Sequence, residues 1–425
     1  MVYFFYNLLI CTIWIFLKLV SLFSKQIRQE LHKRKQSYKQ IFLKSPNGKS
    51  VIWFHSASVG ELDQAKALQE TVRRHRPDLF IIQSVFSSSV KEGAFSDPLA
   101  DLYFYLPFDL PFAYEKLFRF FKPKFLFIMA WDTWPNLLKN ASKFGTKSYL
   151  CCASLSSAST RKNLLVRLLT KSSFQYLSGI YPSHPLMAKE FEGFVSEGTD
   201  FLVLGDTRFE SVWNKLETKS PNPKFTEFVL HQKKFLAKHR PVILGSTYPI
   251  CESYFLSYLE SNQDECSYWI FPHKWEKERM LDMKSKLETF GSAAVFSELK
   301  EGDPLPKFLL FDVLGILAFA YQYGSFAYVG GAFHHRIHNT IEPAALGLAI
   351  ITGPKIQNAP EAIVMQGLGG LFKTENEAHF VTRFQSLVKN KELREKMGNT
   401  NRNFVVENRG ASEKIYNRVF PYDKI

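Results

Sequence analysis

The stretch VIWFHSASVGE, Val51 to Glu61, decides the fold. VIWFH reads as a strand buried in a sheet, because it is an apolar run too short for a helix and rich in β-branched and aromatic residues. Small residues follow, and Gly60 lets the backbone turn tightly before Glu61 opens a helix that runs to about His75. Strand, turn and helix in that order make the first step of a doubly wound α/β sheet, and the step recurs. IIQSVF (81–86), FLFIM (125–129), KSYLCCAS (147–154), GIYPS (179–183) and FLVLG (201–205) read as further strands with helical patterns between them. The polar, proline-bearing ETKSPNPK (217–224) is the linker candidate. Beyond it the pattern restarts with PVILGST (241–247), YWIFP (268–272), FLLFD (308–312), FAYVGG (326–331) and AIITGP (349–354). Two α/β halves of near-equal size predict two Rossmann-like domains facing each other across a cleft, with ligands outside the carboxyl ends of the strands.

Upstream of this stretch the chain has a different character. Val2 to Leu17 carries no charge, and the apolar run resumes after Lys18 and reaches Phe23. That length is borderline for the roughly 20 residues of a spanning helix, and Lys18 can snorkel to the interface. From Lys25 to Lys44 there are seven Lys/Arg and one acid, Glu30. The positive-inside rule then keeps this flank and the body after it cytoplasmic. A charged n-region and a small-residue exit are missing, so an uncleaved anchor, spanning the bilayer or lying in its face, is preferred to a signal peptide. The expected divisions are an anchor over 1–23, a basic segment over 24–48, a first domain over 49–216, the linker, and a second domain over 225–425 whose last helix is free to pack back on the first.

Composition narrows the partners. Of 425 residues, 46% are apolar and 22% charged, which excludes a disordered or fibrous chain. Cys11, Cys151, Cys152, Cys251 and Cys266 follow no metal or disulfide spacing and point to a reducing compartment. With 54 Lys+Arg against 40 Asp+Glu, the formal charge of +14 seeks an anionic partner. The densest basic run adjoins the apolar segment and no nucleic-acid-reading motif is present, so the partner is an anionic membrane surface and not a nucleic acid.

Two motifs at strand exits carry candidate chemistry. A carboxylate at Glu61 can act as general base if it reaches a substrate hydroxyl; an acid there is also favoured simply by the helix N-terminus. After FAYVGG, the segment RIHNTIEPAALG (336–347) places Asn339 at a helix start and Glu342 one turn in. Phosphate suits such a helix start and a carboxylate suits ribose hydroxyls, although a cap plus a first-turn acid explains the same residues. His334, His335 and His338 invite a metal, but no ligand set of convincing spacing joins them, and no metal or cofactor is expected. The glycine-rich pieces are neither a Walker loop nor G-x-G-x-x-G.

HSASVGE (55–61), LPFDLP (106–111), WPNLL (134–138), LGDTRFE (204–210), LGST (244–247), VGGAF (329–333) and IHNTIEPAALG…GP (337–354) stand in the order found in Kdo transferases. The chain resembles that family over essentially its whole length. The resemblance implies an α/β GT-B fold and a membrane-bound, metal-independent inverting glycosyltransferase of lipopolysaccharide synthesis, at the cytoplasmic face of a bacterial inner membrane. Its donor would be CMP-Kdo and its acceptor the 6′-hydroxyl of a lipid A precursor, lipid IVA. It further implies Glu61 as catalytic base, Arg208 in place of a lysine that steadies developing charge, and Asp132 as a second acidic catalytic residue. CMP would lie on Asn339, Thr340, Ile341 and Glu342, with His273 and Lys274 where the family has Arg-His, and on Leu314, Gly315 and Ile316.

The departures are specific. The family reads Glu-Thr-Glu-x-Trp-Pro-Asn where this chain has Ala130, Trp131, Asp132, Thr133, Trp134, Pro135 and Asn136, so one carboxylate is lost and one shortened. Ser154 and Ala158 stand where arginines are common, and Ile316 where a glutamate is usual. The alternative these changes leave open is a non-catalytic or re-specialised relative that binds lipid or nucleotide, or a GT-B enzyme using another sugar nucleotide.

Overall fold

A computed structural model describes all residues except 1, 89, 91, 92, 94, 96, 156–163, 217–219, 221, 275, 301 and 421–425. Ala158 and part of the linker stretch 217–224 therefore lie outside the described residues. The chain divides into two units, one joining residues up to Ser211 with the tail from Arg409, the other spanning Val212–Asn408.

The first unit is built on seven parallel strands: β1 (Val51–Ser56), β2 (Phe80–Val85), β3 (Leu102–Tyr105), β4 (Phe125–Met129), β5 (Lys147–Ala153), β6 (Leu177–Pro182) and β7 (Asp200–Phe201). Their spatial order is β3-β2-β1-β4-β5-β6-β7, with every pairing parallel. Period-2 alternation sends Val51 and Trp53 to one face and Ile52 and Phe54 to the other. Both faces are covered, so the strands read as unbroken apolar runs. FLVLG contributes only Phe201 to a strand, and LYFY (102–105), which the apolar pattern does not single out, supplies β3.

The helices that bear on the site are α1 (Val2–Phe23), α2 (Lys25–Gln40), α3 (Val59–His75), α4 (Glu115–Phe121) and α5 (Pro135–Lys143). α1 is 22 residues long and apolar enough, by length and composition, to cross a membrane. One flank of it is nonetheless docked on the domain. The Tyr6 hydroxyl donates to Asp109 Oδ2 at 2.7 Å, the Asn136 amide donates to Asn7 Oδ1 at 2.8 Å, and Ile10, Cys11 and Trp14 pack on the core. Phe4, Phe5, Leu8, Leu9, Phe16 and Leu19 face outward, exposed. The C-terminal helix Ala411–Val419 packs on α3, with Ile415 and Val419 in the core and Glu413 paired with Arg74 and His75.

The second unit repeats the plan with β8 (Val242–Thr247), β9 (Tyr268–Pro272), β10 (Ala293–Val295), β11 (Phe308–Leu310), β12 (Ala327–Val329), β13 (Ile350–Thr352) and β14 (Leu371–Lys373). Their order is β10-β11-β9-β8-β12-β13-β14, again all parallel. In each sheet the order reverses beside the first strand, between β1 and β4 and between β8 and β12. Those are the topological switch points, where doubly wound sheets open a crevice.

Asp109 is the buried charge that fastens α1 to the start of α5. It is fully buried, takes the Tyr6 hydroxyl, and accepts the backbone N–H groups of Asn136 and Leu137 at 2.9 and 3.0 Å. These are free amides of a helix's first turn. Burial pushes its carboxyl up from 3.8 to about 6, against the downward pull of those donors. Between about pH 4 and 6 the folded chain therefore keeps a proton that the unfolded chain has lost, so stability falls as the pH rises through that window and is level above it. We expect Asp109→Asn to remove this slope, which at its steepest is about 1.4 kcal/mol per pH unit, in urea unfolding of the detergent-solubilised chain; an unchanged slope contradicts the assignment.

Candidate active site

The crevice of the first unit is lined by the exits of β1 and β4. β1 ends in His55 and Ser56, and the chain turns through Ala57 and Ser58 into α3, bringing Glu61 into the helix's first turn. The Glu61 carboxylate folds back to accept the Ala57 N–H at 2.5 Å, in the manner of a capping box. Burial raises its pKa above the ordinary value, the Ala57 hydrogen bond lowers it, and the charge of Asp132 raises it again.

β4 exits through Ala130, which sits in the left-handed region at φ 56°. Such a residue without glycine's freedom costs roughly 1–2 kcal/mol, and the turn aims the loop 131–134 back toward β1. Asp132 there is held by two donors, His55 Nε2 at 2.8 Å and Trp134 Nε1 at 3.0 Å. His55 is completely buried, and its Nδ1 lies 2.9 Å from Ser84 Oγ at the end of β2. Ser84 also takes the Trp53 indole N–H at 2.8 Å. The Asp132 carboxylate accepts, so the proton of the ring sits on Nε2 toward it, and Nδ1 is left to accept from the Ser84 hydroxyl. Three strand ends are thus tied to one carboxylate beside Glu61.

Arg208 opens the helix Arg208–Leu216 that follows β7. Its guanidinium pairs with Asp206 at 2.8–2.9 Å, and buried Asp206 takes the Gln64 amide at 2.9 Å. Gln64 lies one turn beyond Glu61 on α3, and its carbonyl accepts the Thr207 hydroxyl at 2.8 Å. Of the predicted trio, Asp132 acts on Glu61 through its charge, and Arg208 is tied through Asp206 and Gln64 to the helix that carries Glu61. His55, Ser84 and Trp134 are not singled out by the sequence, although a histidine and a serine ending otherwise apolar strands are the available signal.

In the second unit the crevice is lined by the exits of β8, β9 and β12. Tyr248, just after β8, stacks on His273 at 5.0 Å and on His334 at 4.8 Å, and its hydroxyl lies 3.3 Å from His338 Nε2. Burial, then Lys274, His334 and Arg279, lowers His273; burial, then His273 and Arg336, pushes His338 down to about 4. Both shifts favour the uncharged form of His273 and His338, which present flat ring surfaces. Tyr248, another residue the sequence does not single out, makes the platform. No group of three metal-binding side chains occurs among the described residues.

The segment after β12 needs its glycines. A Cβ on Gly330 would lie 2.0 Å from the Ser246 carbonyl oxygen, and Gly331 has φ +92°. The turn delivers Asn339, whose Oδ1 accepts the Ile341 N–H at 2.9 Å, to the short helix Ile341–Ala345. This helix opens two residues later than Asn339, because Asn339 forms the turn before it. Glu342 is ion-paired with Lys215 at 3.2 Å, and Thr340 is buried with its hydroxyl unpartnered. Ile341 is in the core. Leu314 is exposed, Gly315 has φ +83°, and Ile316 is fully buried, so from Ile316 only backbone could meet a ligand. Lys274 is exposed, with its carbonyl taken by Arg279.

Gly330→Ala is expected to lower the stability of this unit by at least about 2 kcal/mol, read from its urea transition, because the obstructing atom is backbone. An unaltered transition shows that the two loops do not approach so closely.

The family model described as 3-deoxy-D-manno-octulosonic-acid transferase (kdotransferase) matches residues 29–211. The 3-deoxy-D-manno-octulosonic acid transferase of Haemophilus influenzae is 26% identical over 437 residues, covering 99% of this chain and 98% of its own. That of Aquifex aeolicus is 26% identical over 353 residues, covering 80% and 87%. Among solved structures, UDP-GlcNAc 2-epimerase from Neisseria meningitidis aligns with a TM-score of 0.64 at 12% identity, over 88% of this chain and all of that one. MurG from Acinetobacter baumannii aligns at 0.57 and 10%, over 88% and 99%. These structural likenesses show the GT-B fold. Over residues 29–211 by family model, and along its whole length by pairwise identity, the chain is similar to the Kdo transferases.

Proposed function

We propose that this chain is an inverting glycosyltransferase that moves Kdo from CMP-Kdo to the 6′-hydroxyl of a lipid A precursor, lipid IVA. The observation that carries the reading is Glu61, a partly buried carboxylate at the switch point of the first sheet, beside Asp132. A carboxylate whose pKa is raised is a better base near neutral pH than an ordinary one. Glu61 takes the proton of the acceptor hydroxyl as its oxygen bonds to the anomeric carbon of Kdo. The bond from that carbon to the phosphate oxygen breaks, and its electron pair leaves with CMP. Arg208 steadies charge developing on the leaving phosphate, and its pairing with Asp206 sets where the guanidinium points. Asp132, gripped by His55 and Trp134, holds its charge beside Glu61, which raises the basicity of Glu61.

CMP is assigned to the second unit. The Tyr248–His273–His338 surface suits a flat base, the turn at Asn339 and the unpartnered Thr340 hydroxyl suit polar groups of the nucleotide, and Glu342 suits ribose hydroxyls once it exchanges Lys215 for them. Leu314, Gly315 and Ile316 contribute backbone, and Lys274 a charge for phosphate. The place of action is the cytoplasmic face of a bacterial inner membrane. The hydrogen bonds that tie Tyr6 and Asn7 to the domain favour α1 lying in the membrane face over crossing it.

Glu61→Gln is expected to lower CMP release from CMP-Kdo in the presence of lipid IVA by about 10²–10⁴-fold, with CMP binding unchanged. Full turnover in that variant removes Glu61 as base; wild-type binding of CMP without turnover favours the re-specialised relative to which Ala130 points.

A further inference from the structure

α1, α2 and the loop 107–113 enclose a cavity of about 350 Å³ that the transfer chemistry does not use. Its size falls within the usual range for small-molecule sites, roughly 300–1,000 Å³. Trp14, Leu31, Tyr38, Phe108, Leu110 and Phe112 form its walls. Trp14 and Phe108 meet ring to ring at 5.1 Å, and the Tyr38 hydroxyl donates to the Ala113 carbonyl at 3.0 Å, so the walls are held in place. Phe112 is 71% exposed. A large aromatic side chain left in water at the mouth of an apolar cavity marks a binding surface and not a core.

The charges at the cavity are all of one sign. Lys18, Arg34 and Lys35 line it, and no carboxylate does. Arg34 is already committed: it is buried, donates to the carbonyls of Leu106 and Phe86, and pairs with Glu30 at 3.2 Å. Lys18 and Lys35 are exposed, Lys18 lying 4.9 Å over the Trp14 ring. An occupant must therefore be apolar along its length and anionic at its head. The cavity also continues the outward apolar face of α1, on which Leu19, Phe16 and Leu22 are exposed. Its natural source of ligand is the bilayer on which that face rests.

We propose that this cavity binds one acyl chain of an anionic membrane phospholipid, with the phosphate held by Lys18 and Lys35. The site is separate from Glu61 and does not rest on the transferase reading. Such a lipid fills the space between α1 and α2 and makes the seating of α1 on the domain depend on anionic lipid.

Trp14 makes the site readable. The full chain, in micelles of an uncharged detergent, is titrated with phosphatidylglycerol brominated on its acyl chains, and tryptophan quenching is recorded against a Trp14→Phe background. Saturable quenching of Trp14 is expected. Unlabelled phosphatidylglycerol should reverse it, brominated phosphatidylcholine should require a markedly higher concentration, and Lys18→Glu with Lys35→Glu should raise half-saturation by about tenfold or more. Both lysines are exposed, so the double variant should keep its fold, checked by an unchanged urea transition. Quenching that grows without saturation, alike for both headgroups and for the double variant, shows only bulk contact with α1 and overturns the proposal. Displacement by lipid IVA at concentrations where phosphatidylglycerol fails gives the cavity to the acceptor and overturns the assigned occupant.

Discussion

The hydrogen bond from His55 to Asp132 is the contact on which the first unit's crevice depends. Parallel strands are held to one another along their length but not beyond their ends, and a switch point exists because two neighbouring chains leave in opposite directions. At β1 and β4 that divergence is bridged by a buried imidazole whose other nitrogen is engaged by Ser84 from β2. An unmet polar group at such depth costs about 1–3 kcal/mol, so each member of the row from Trp53 to Trp134 holds the next. The consequence reaches Glu61, whose pKa is raised first by burial and further by the charge of Asp132 held close to it.

A second buried carboxylate organises the side nearer α1. Asp109 satisfies the first amides of α5 and simultaneously receives Tyr6. The loop carrying Asp132 runs directly into α5, so the apolar helix and the acidic loop share one anchor. Seating of α1, occupation of the cavity beside Trp14 and the position of Asp132 are in this way mechanically adjacent within a single unit.

Much of the sheet is legible in the sequence because its strands are buried on both faces and therefore read as uninterrupted apolar runs. The signal fails where it is short: LYFY at the edge of the first sheet, and the three-residue strands Ala293–Val295 and Leu371–Lys373 at the edges of the second. FLVLG fails in the other direction, since hydrophobicity there serves packing after the strand has ended. Glu61 is visible from its place at a helix start. His55 is in view but its role is not, because its partners lie 29 and 77 residues away on other strand exits. Tyr248 is hidden for the same reason: its neighbours His273, His334 and His338 meet only where separate strands end.

The most direct test of the account is the pH dependence of kcat/KM for Kdo transfer, in the wild type and in Asp132→Asn. A base raised by burial and by a neighbouring carboxylate predicts an acid limb above the ordinary glutamate value of 4.5, moving to lower pH when the charge at 132 is removed. A limb that stays in place in Asp132→Asn, or that moves upward, contradicts the coupling of Glu61 to Asp132 and with it the proposed base.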